Sequence, residues 1–436
     1  MKRKAVLFFA GAVLLAQTSV PDLLEDEAKR APMHLEEFQQ FALANNPSLQ
    51  QVNALTKEAA ARARQAGLYP NPSVGYQGEQ IRGGSYRGGE QGAFVEQTFV
   101  LGGKLGLRRD VYEQQHRGNE IGASEQRYRV LSDVGQSFYS ALAAQETVYT
   151  RKRLLSVARD AVETAHQLAN VGQADEPDVL QAEIEMQQAQ IDYATGQRDY
   201  IQAFHNLSAL VGKPELPVSP VQGDLEHPPR LNPDGIVDQI MRDSPSVKRA
   251  QQDIVRAEAE IKSAKRESVP DLQVHAGIQQ NLEPMNEFSG KPVGLQGFAT
   301  VGISLPISNR NQGNVEAAQA ELDRARAEVV QIQLSVRQGT QALYQAYSTS
   351  QMEAALYKDE MIPRAKRAYQ LYLAKYQQMG AAYPEVLIAQ RTLFQLQVEY
   401  IQALQRAWTT AIVLQNYALS SDMNTPTFSG SSGYAR

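Results

Sequence analysis

The sequence contains two copies of one structural unit, offset by about 200 residues. Asn46-Pro47-Ser48 is echoed by Ser244-Pro245-Ser246, and each opens a stretch rich in Ala, Arg and Glu. Three further pairs follow in the same order: Tyr69-Pro70-Asn71-Pro72 with Val269-Pro270-Asp271, Gly172 and Pro177-Asp178-Val179-Leu180-Gln181-Ala182 with Gly380 and Pro384-Glu385-Val386-Leu387-Ile388-Ala389, and Asp192-Tyr193 with Glu399-Tyr400. Because each copy must fold into the same supersecondary unit, the repeat constrains the architecture before any local pattern is interpreted.

Each copy is predicted to run helix, strand, loop, strand, very long helix, turn and long helix. We expect the first copy to span residues 21–222 and the second 223–422. The predicted elements are strands at 72–82 and 92–101 with helices at 104–171 and 178–211 in the first copy, and strands at 270–280 and 296–307 with helices at 312–378 and 385–420 in the second.

The longest predicted helices carry a coiled-coil pattern. Apolar residues recur at alternating spacings of three and four, with Gly339 filling one small position. In the second copy they are Leu322, Ala325, Val329, Ile332, Val336, Leu343 and Ala346. A helix of this length would extend roughly 100 Å at ~1.5 Å per residue, so it must pack against other helices. The return helices at 178–211 and 385–420 are the expected antiparallel partners.

The predicted strands alternate apolar and polar residues, as the wall of a membrane β-barrel does. Leu272, Val274, Ala276 and Ile278 share one face, and Ala299, Val301, Ile303 and Leu305 share one face of the partner strand. The segment 93–101 alternates ambiguously. Four strands cannot close a barrel, and open edges are not tolerated in lipid, so the chain must oligomerise. A trimer would supply twelve strands. Two solvent-exposed hairpins on a helical protein remain the alternative.

The N-terminus predicts export. Lys2, Arg3 and Lys4 precede an apolar run at 5–16, which is typical of a signal peptide over residues 1–20 and too short for a membrane helix. The chain has no cysteine, and its net charge is −5 with both signs interspersed, which argues against nucleic acid as a partner. The Ser-, Gly- and Thr-rich segment 423–436 is predicted to be a disordered tail.

No motif in the sequence predicts chemistry. The six histidines are scattered without the spacing of metal ligands. Gly102-Gly103-Lys104 lacks the spacing of a phosphate-binding loop and fits a bend from strand to helix. No Ser/His/Asp or Cys/His arrangement can be proposed without arbitrary choice. We therefore expect no catalytic residue, cofactor or bound metal, and no enzyme.

Taken together, these features resemble the outer-membrane efflux protein (TolC) family, from about residue 35 to residue 422. The resemblance rests on the duplicated helix starts, the proline-led strands, the two tip motifs, and the strand-to-helix turns at 99–103 and 305–309. It implies a mainly α fold with a trimeric twelve-stranded membrane β-barrel, continued by a long periplasmic α-helical barrel. The implied partners are two further copies, outer-membrane lipid, a periplasmic adaptor and an inner-membrane pump. The overall pattern looks like the heavy-metal branch, which implies a pump of the resistance-nodulation-division (RND) type.

The resemblance also implies where the channel closes. In the family, the turns at the periplasmic end of the helical hairpins constrict the pore and meet the adaptor. The carboxylates that correspond to the constriction are Glu385, Asp178, Asp175 and Glu176, and the residues at the adaptor-contact tips are Val171, Gly172, Met379 and Gly380. Relatives often place a second acidic residue three positions after Glu385, where this chain has Ile388. Acidic residues in a first helical turn also interact favourably with the helix dipole and serve as caps, so a purely structural role for these four is the alternative.

The function that follows is a passive export duct for small molecules or metal ions, located in the outer membrane with a large periplasmic portion and driven by the inner-membrane pump. Two alternatives stay open on the sequence alone. One keeps the channel but makes it the duct of a type I protein-secretion system. The other is a periplasmic structural coiled-coil protein, which the four alternating strands disfavour.

Overall fold

A computed structural model describes residues 29–83, 86–87, 89–172, 174–284, 290–378 and 383–419. The predicted signal peptide at 1–20 and the predicted tail at 423–436 lie outside the described residues. No helix in this part of the chain is long and apolar enough to serve as a membrane span.

Long helices dominate the described residues, and two groups of strands interrupt them, β1 to β4 and β5 to β6. The elements are α1 (Leu35–Asn45), α2 (Pro47–Ala66), β1 (Ser73–Glu79), β2 (Arg82–Gly83), β3 (Tyr86–Arg87), β4 (Glu90–Phe99), α3 (Lys104–Asn170), α4 (Glu176–Leu210), α5 (Pro233–Asp243), α6 (Pro245–Arg266), β5 (Leu272–Pro284), β6 (Pro292–Ile303), α7 (Gln312–Leu356), a π-helical turn (Tyr357–Met361), α8 (Ile362–Gln377) and α9 (Tyr383–Gln415).

Local sequence explains how these helices begin. Asn46 caps α2, since its side-chain oxygen accepts a hydrogen bond from the Ser48 N–H at 2.9 Å, and Pro47 occupies the first helical turn, where its missing N–H costs nothing. Gly103 and Asn311 precede α3 and α7 with φ values of +72° and +62°. Both residue types tolerate this left-handed backbone, so each can end a strand connection and start a helix in one step.

The bounds of one predicted helix and two predicted strands differ from the structure. The helix expected at 312–378 is interrupted by the π-helical turn, in which the Ile362 N–H donates to the Tyr357 carbonyl five residues earlier. Pro363 follows directly; it has no N–H and its ring would clash with a carbonyl of the preceding turn, so the helix widens there. The strands expected at 270–280 and 296–307 instead occupy Leu272–Pro284 and Pro292–Ile303, because pairing continues past the apolar alternation toward the connecting loop.

The four main strands form one antiparallel sheet with the order β1-β4-β5-β6. The registers pair Val95 with Val74 in β1, Val95 with Ala276 in β5, and Ala276 with Ala299 in β6. β4 and β5 therefore join the two sequence copies, while β1 and β6 form the two edges of the sheet. β2 and β3 pair with each other in a separate two-stranded sheet.

The chain divides into two compact units, and each takes segments from both sequence copies. The sheet unit comprises Gln39–Val134, Pro229–Tyr347 and the described residues from Thr410 onward. Its helical core contains Ile240, Tyr347, Ala411 and Leu414, all buried.

The tip unit comprises the described residues through Phe38, together with Gly135–Pro228 and Ser348–Thr409. Phe38 is fully buried, with ring centroids 5.9 Å from Phe138 and 6.1 Å from Phe204. Tyr139 stacks on Trp408 at 3.9 Å. Burying each of these aromatic side chains contributes about 2 to 3 kcal/mol, so the aromatic cluster is a principal anchor of this unit.

Candidate functional site

One face of the four-stranded sheet carries large apolar side chains that no other described residue covers. The pairing registers place these residues on the same face: Val74, Tyr76, Val95, Phe99, Ile278, Leu295, Val301 and Ile303. All are exposed, Val74 and Leu295 by 76% and 72%. A contiguous apolar surface of this kind is characteristic of contact with lipid or another protein.

The opposite face of the sheet is polar except for one aromatic cluster. The His275 ring lies 4.6 Å from that of Phe94 and 5.3 Å from that of Phe298, in edge-on contacts. A Cβ atom added at Gly75 would lie 2.5 Å from the Phe94 ring, and one added at Gly277 would lie 2.7 Å from the Phe298 ring. The two phenylalanine rings therefore lie directly over glycines, where no side chain lifts them off the sheet.

An ion pair between a buried lysine and a half-buried aspartate joins the sheet to the long helices. Lys104, the first residue of α3, is only 3% exposed, and its Nζ lies 2.6 Å from an oxygen of Asp271, which precedes β5. The same carboxylate oxygen accepts the Leu101 N–H at 3.0 Å, and Lys104 Nζ also donates to the Val269 carbonyl at 2.9 Å. One turn along, Arg108 makes a two-pronged contact with Glu267, both distances being 2.8 Å. We call these four charged residues the junction clamp. The junction clamp connects the start of α3, in the first sequence copy, to the segment before β5, in the second.

At the other end of α3, the structure places the residues of the first predicted tip in a tight turn. Gly172 has a φ of +72°, and Val171 beside it is exposed. Asp175 is the N-cap residue of α4, but its side chain makes no capping hydrogen bond. Glu176 and Asp178 lie in the first turn of α4, with Glu176 exposed and Asp178 half-buried. The capping alternative is therefore not realised at Asp175.

The second predicted tip begins α9. Glu385 lies exposed in the first turn of that helix, whereas the predicted contact residues Met379 and Gly380 lie outside the described residues. Tyr383, two positions before Glu385, belongs to the same buried cluster as Val179, one position after Asp178. The starts of the two return helices therefore share one apolar cluster.

Burial raises the pKa values of two tyrosines beside these helix starts. Burial raises the pKa of Tyr383 to about 12, with further contributions from Tyr376, Tyr369 and the negative charge of Asp178. The pKa of Tyr376 is also raised, by burial and then by Asp178. Both hydroxyls thus stay protonated and neutral near pH 7, so the charges that can act in this cluster are those of the carboxylates.

An ion pair without a signature in the local sequence ties the two helical hairpins together. Arg391 of α9 makes a two-pronged ion pair with Glu185 of α4, with a distance of 2.8 Å from Nε to Oε2. Glu185 is largely buried, while Arg391 is 57% exposed. No local pattern predicts this pair, because the partners lie in different sequence copies.

Within the described residues, no group of three or more His, Asp or Glu side chains is placed to hold a metal ion. The carboxylates that flank the hairpin turns are spread along the first turns of two helices. The arrangement can attract cations but does not form a closed coordination shell.

The chain matches the family model of the outer membrane efflux protein over residues 39–213 and 236–418, one segment in each sequence copy. It is 25% identical to the cobalt-zinc-cadmium resistance protein CzcC of Cupriavidus metallidurans, over 94% of this chain and 96% of that protein. It is 23% identical to the cation efflux system protein CusC of Escherichia coli K12, over 81% of this chain and 79% of that protein. A solved structure of CusC superposes with a TM-score of 0.75 at 18% identity, over 89% of this chain and 92% of that one.

These findings confirm the fold class expected from the sequence, a mainly α chain that supplies strands to a membrane β-barrel. They also confirm the expected outer-membrane location with a large periplasmic portion, and the role of an efflux channel. A periplasmic coiled-coil protein outside the membrane is excluded. The chain belongs to the outer membrane efflux protein family.

Proposed function

We propose that this chain is the outer-membrane duct of a tripartite efflux system that exports metal ions. Three copies form the duct, a periplasmic adaptor contacts its tips, and an inner-membrane pump of the RND type supplies the energy. The duct itself carries out no chemistry on the cargo. It provides a sealed path that opens and closes at the hairpin turns.

The observation that carries this proposal is the sheet, which has one exposed apolar face and two open edges. Unpaired backbone groups cannot remain at an edge in lipid, so β1 and β6 must be covered by strands. Three copies supply twelve strands, which lies within the range of closed membrane barrels. The apolar face then meets lipid, and the polar face lines the channel.

The helices of the tip unit support the same assembly. Leu180, Ile184 and Ile191 are exposed along one side of α4 at helical spacing. An uncovered apolar stripe on a helix requires a partner helix, and neighbouring copies of a helical barrel supply one.

The hairpin turns form the gate in this proposal. Glu385, Asp178, Asp175 and Glu176 lie at the starts of α4 and α9, and three copies would repeat them around the axis. Such rings concentrate cations at the constriction, while their mutual repulsion favours opening when counter-charge is absent. The Arg391–Glu185 pair and the packing of Tyr383 hold the hairpins of one chain together in the closed form. Val171, Gly172, Met379 and Gly380 are the proposed adaptor contacts.

The cargo is proposed from the relatives. CzcC is named for resistance to cobalt, zinc and cadmium, and CusC for cation efflux. An acidic entrance suits such cargo, because it raises the local concentration of divalent cations without binding them tightly.

The first experiment is to fractionate cells that express the full-length chain and to size the detergent-extracted protein by light scattering. A trimer from the outer membrane is the expected result, and a periplasmic monomer would contradict the proposal. Co-expression with the cognate adaptor and pump should raise tolerance to cobalt, zinc or cadmium. Unchanged metal tolerance in cells that contain the assembled trimer would refute the cargo alone.

A further inference from the structure

One row of polar side chains crosses all four strands of the sheet on its polar face. The pairing register places Glu96 of β4 opposite His275 of β5. Ser73 of β1 lies opposite Glu96 on its other side, and Thr300 of β6 lies opposite His275. Directly opposed residues of antiparallel strands lie about 4.5 to 5.5 Å apart at Cα, and their side chains project to the same side. The row therefore brings a carboxylate and an imidazole next to each other, with a hydroxyl on either side.

Glu96 differs from the other carboxylates on this face. Glu79 and Glu90 accept hydrogen bonds from side-chain amides of neighbouring residues, at 2.6 and 2.7 Å. In the part of the chain that the structure describes, no hydrogen bond or ion pair joins the side chain of Glu96 to that of His275, although the two residues are direct neighbours. The carboxylate and the imidazole therefore leave space between them for a ligand.

The imidazole of His275 is held in place by aromatic rings. The rings of Phe94 and Phe298 belong to the next row of the same face and contact it edge-on. The Nε2 atom of His275 is buried and has no hydrogen-bond partner among the described residues. An unpaired polar atom in such a position is unfavourable. This nitrogen gains a partner if the ring turns toward the open side of the row and binds a cation.

The charge of the strands leaves this row open to cations. β1, β4, β5 and β6 contain four glutamates and no lysine or arginine. No lysine or arginine of these strands can therefore neutralise Glu96. In a trimer the same strands would surround one lumen with negative charge alone, which raises the local concentration of cations.

One imidazole nitrogen and one carboxylate are a ligand set for borderline-soft divalent metal ions such as Zn²⁺. Zinc bonds to histidine nitrogen and to carboxylate oxygen at about 2.0 to 2.2 Å, so two donors on one ion lie at most about 4 Å apart. Opposed glutamate and histidine side chains can span that distance. Mg²⁺ and Ca²⁺ prefer ligand sets made of oxygen only. Two protein ligands leave the other positions to water, so the ion is released readily, as conduction requires.

We propose that Glu96 and His275 form a transient binding site for a borderline-soft divalent metal ion in the lumen of the β-barrel, with water and the hydroxyls of Ser73 and Thr300 completing its shell. The site lies near the end of the barrel that joins the long helices, because β4 ends at Phe99 and α3 follows. The proposal rests on the proposed duct, in which the polar face lines the channel. It adds a metal-selective step to the carboxylates at the hairpin turns.

Block of the channel by Zn²⁺ tests the site, with Mg²⁺ as the comparison ion. Zn²⁺ should reduce the potassium current through the full-length trimer in planar bilayers. His275→Gln should raise the Zn²⁺ concentration needed for half-block about ten-fold, at least the cost of losing an outer-shell partner of a metal site. Block by Mg²⁺ should change less than about two-fold, because Mg²⁺ has little preference for imidazole. This comparison separates the site from the carboxylates at the hairpin turns, which have no imidazole among them.

Two further variants show whether one ion contacts both side chains. Glu96→Gln should weaken the Zn²⁺ block by a similar factor, and the double variant should be little weaker than either single variant, because both changes remove the same bound ion. Glu90→Gln is the matched control. It removes a carboxylate from the same face of the same strand, but one already bonded to the Asn281 amide, so the Zn²⁺ block should change less than about two-fold.

The outcomes separate the site from the duct. Unchanged Zn²⁺ block in His275→Gln, or equal effects of Glu90→Gln and Glu96→Gln, would overturn the site and leave the conducting trimer in place. A natural chain that forms neither trimers nor channels would overturn the proposed function, and the site with it. If His275→Gln does not assemble into trimers, the difference between Glu96→Gln and Glu90→Gln in Zn²⁺ block, against no difference in Mg²⁺ block, decides the question.

Discussion

The two sequence copies build similar helical hairpins, but α3 of the first copy buries more side chains in the tip unit than the π-helical turn and α8 of the second copy do. In the first copy α3 runs unbroken for 67 residues, and Leu155, Ala158 and Ala165 are buried along its part in the tip unit. In the second copy the corresponding stretch is divided by the π-helical turn, and neither that turn nor α8 contains a buried residue. Local stability follows buried apolar contact, so the second hairpin is the part of the tip unit that can move at lower cost.

The copies differ again where strands become helices. The first-copy helix start carries the junction clamp, whereas Gln312 at the second-copy start is a neutral, exposed residue. The start of α3 is thus fixed by two ion pairs within the chain, whereas the start of α7 is held by a neutral hydrogen bond from the Asn311 side chain to the Ala264 carbonyl.

The largest expected effect comes from removing the buried charge of the clamp. Lys104→Ala should lower the free energy of unfolding by about 2 kcal/mol, because it leaves Asp271 without its partner and opens a gap at the start of α3. Denaturant unfolding of the detergent-solubilised protein measures the change. Gln312→Ala is the matched variant in the other copy and should stay within about 0.5 kcal/mol. Equal losses of unfolding free energy in both variants would show that the starts of α3 and α7 are held equally firmly.

The next effect concerns the contact between hairpins. Arg391→Ala should raise the conductance of single channels in planar bilayers several-fold, since it releases α9 from Glu185. The unfolding free energy should change by only about 1 kcal/mol, because the Arg391 side of the pair is 57% exposed and screened by solvent. Arg364→Ala is the control, because its partner Glu360 lies one turn away, 2.6 Å distant. A conductance gain that appears equally in the control would show that the hairpin contact does not restrain the gate.

A smaller effect compares the corresponding carboxylates of the two copies. Glu385→Ala should weaken block by divalent cations about three-fold, as expected for losing roughly 0.5 to 1 kcal/mol of attraction at each exposed carboxylate. Asp178→Ala should weaken the block less, because Asp178 is half-buried against the neighbouring tyrosines. Voltage-clamp titration with a divalent cation measures both. Unaltered block in Glu385→Ala would leave this residue as a helix-start carboxylate.

The smallest effect tests the origin of the π-helical turn. Pro363→Ala restores a backbone N–H and removes the ring clash, so the helix can continue in regular α geometry and the amides of Tyr357–Met361 should exchange with solvent about three-fold more slowly. The melting temperature should move by about 1 °C at most, since proline is tolerated in a first helical turn. Hydrogen exchange with mass spectrometry would report the change. Unchanged exchange would mean that Pro363 is not the cause of the turn.

Sequence patterns were sufficient for the strands whose alternation is regular. The faces of β5 and β6 could be predicted because successive side chains point to opposite sides of a strand. β4 was ambiguous for a physical reason that only the pairing reveals: Phe94 lies on the polar face, where Gly75 makes room for its ring. An apolar residue placed over a neighbouring glycine breaks the alternation without changing the strand.

The candidate site was predictable only in part. The positions of Asp178 and Glu385 at the starts of return helices follow from the repeat and the proline before each. The Arg391–Glu185 pair and the clamp between Lys104 and Asp271 could not be predicted, because their partners are far apart in sequence and each pair depends on how the copies pack. Charged residues on long helices usually face solvent, so composition alone does not distinguish the few that form such contacts.

The phenylalanines that lie over glycines also set the width of the proposed bore. With Gly75 and Gly277 beneath them, the rings of Phe94 and Phe298 stay close to the wall. Any larger residue at position 75 would push the Phe94 ring toward the channel axis. In a closed trimer, three such rings would narrow the channel at the same height. The width of the proposed channel at this height therefore depends on Gly75 and Gly277 as well as on the side chains that line it.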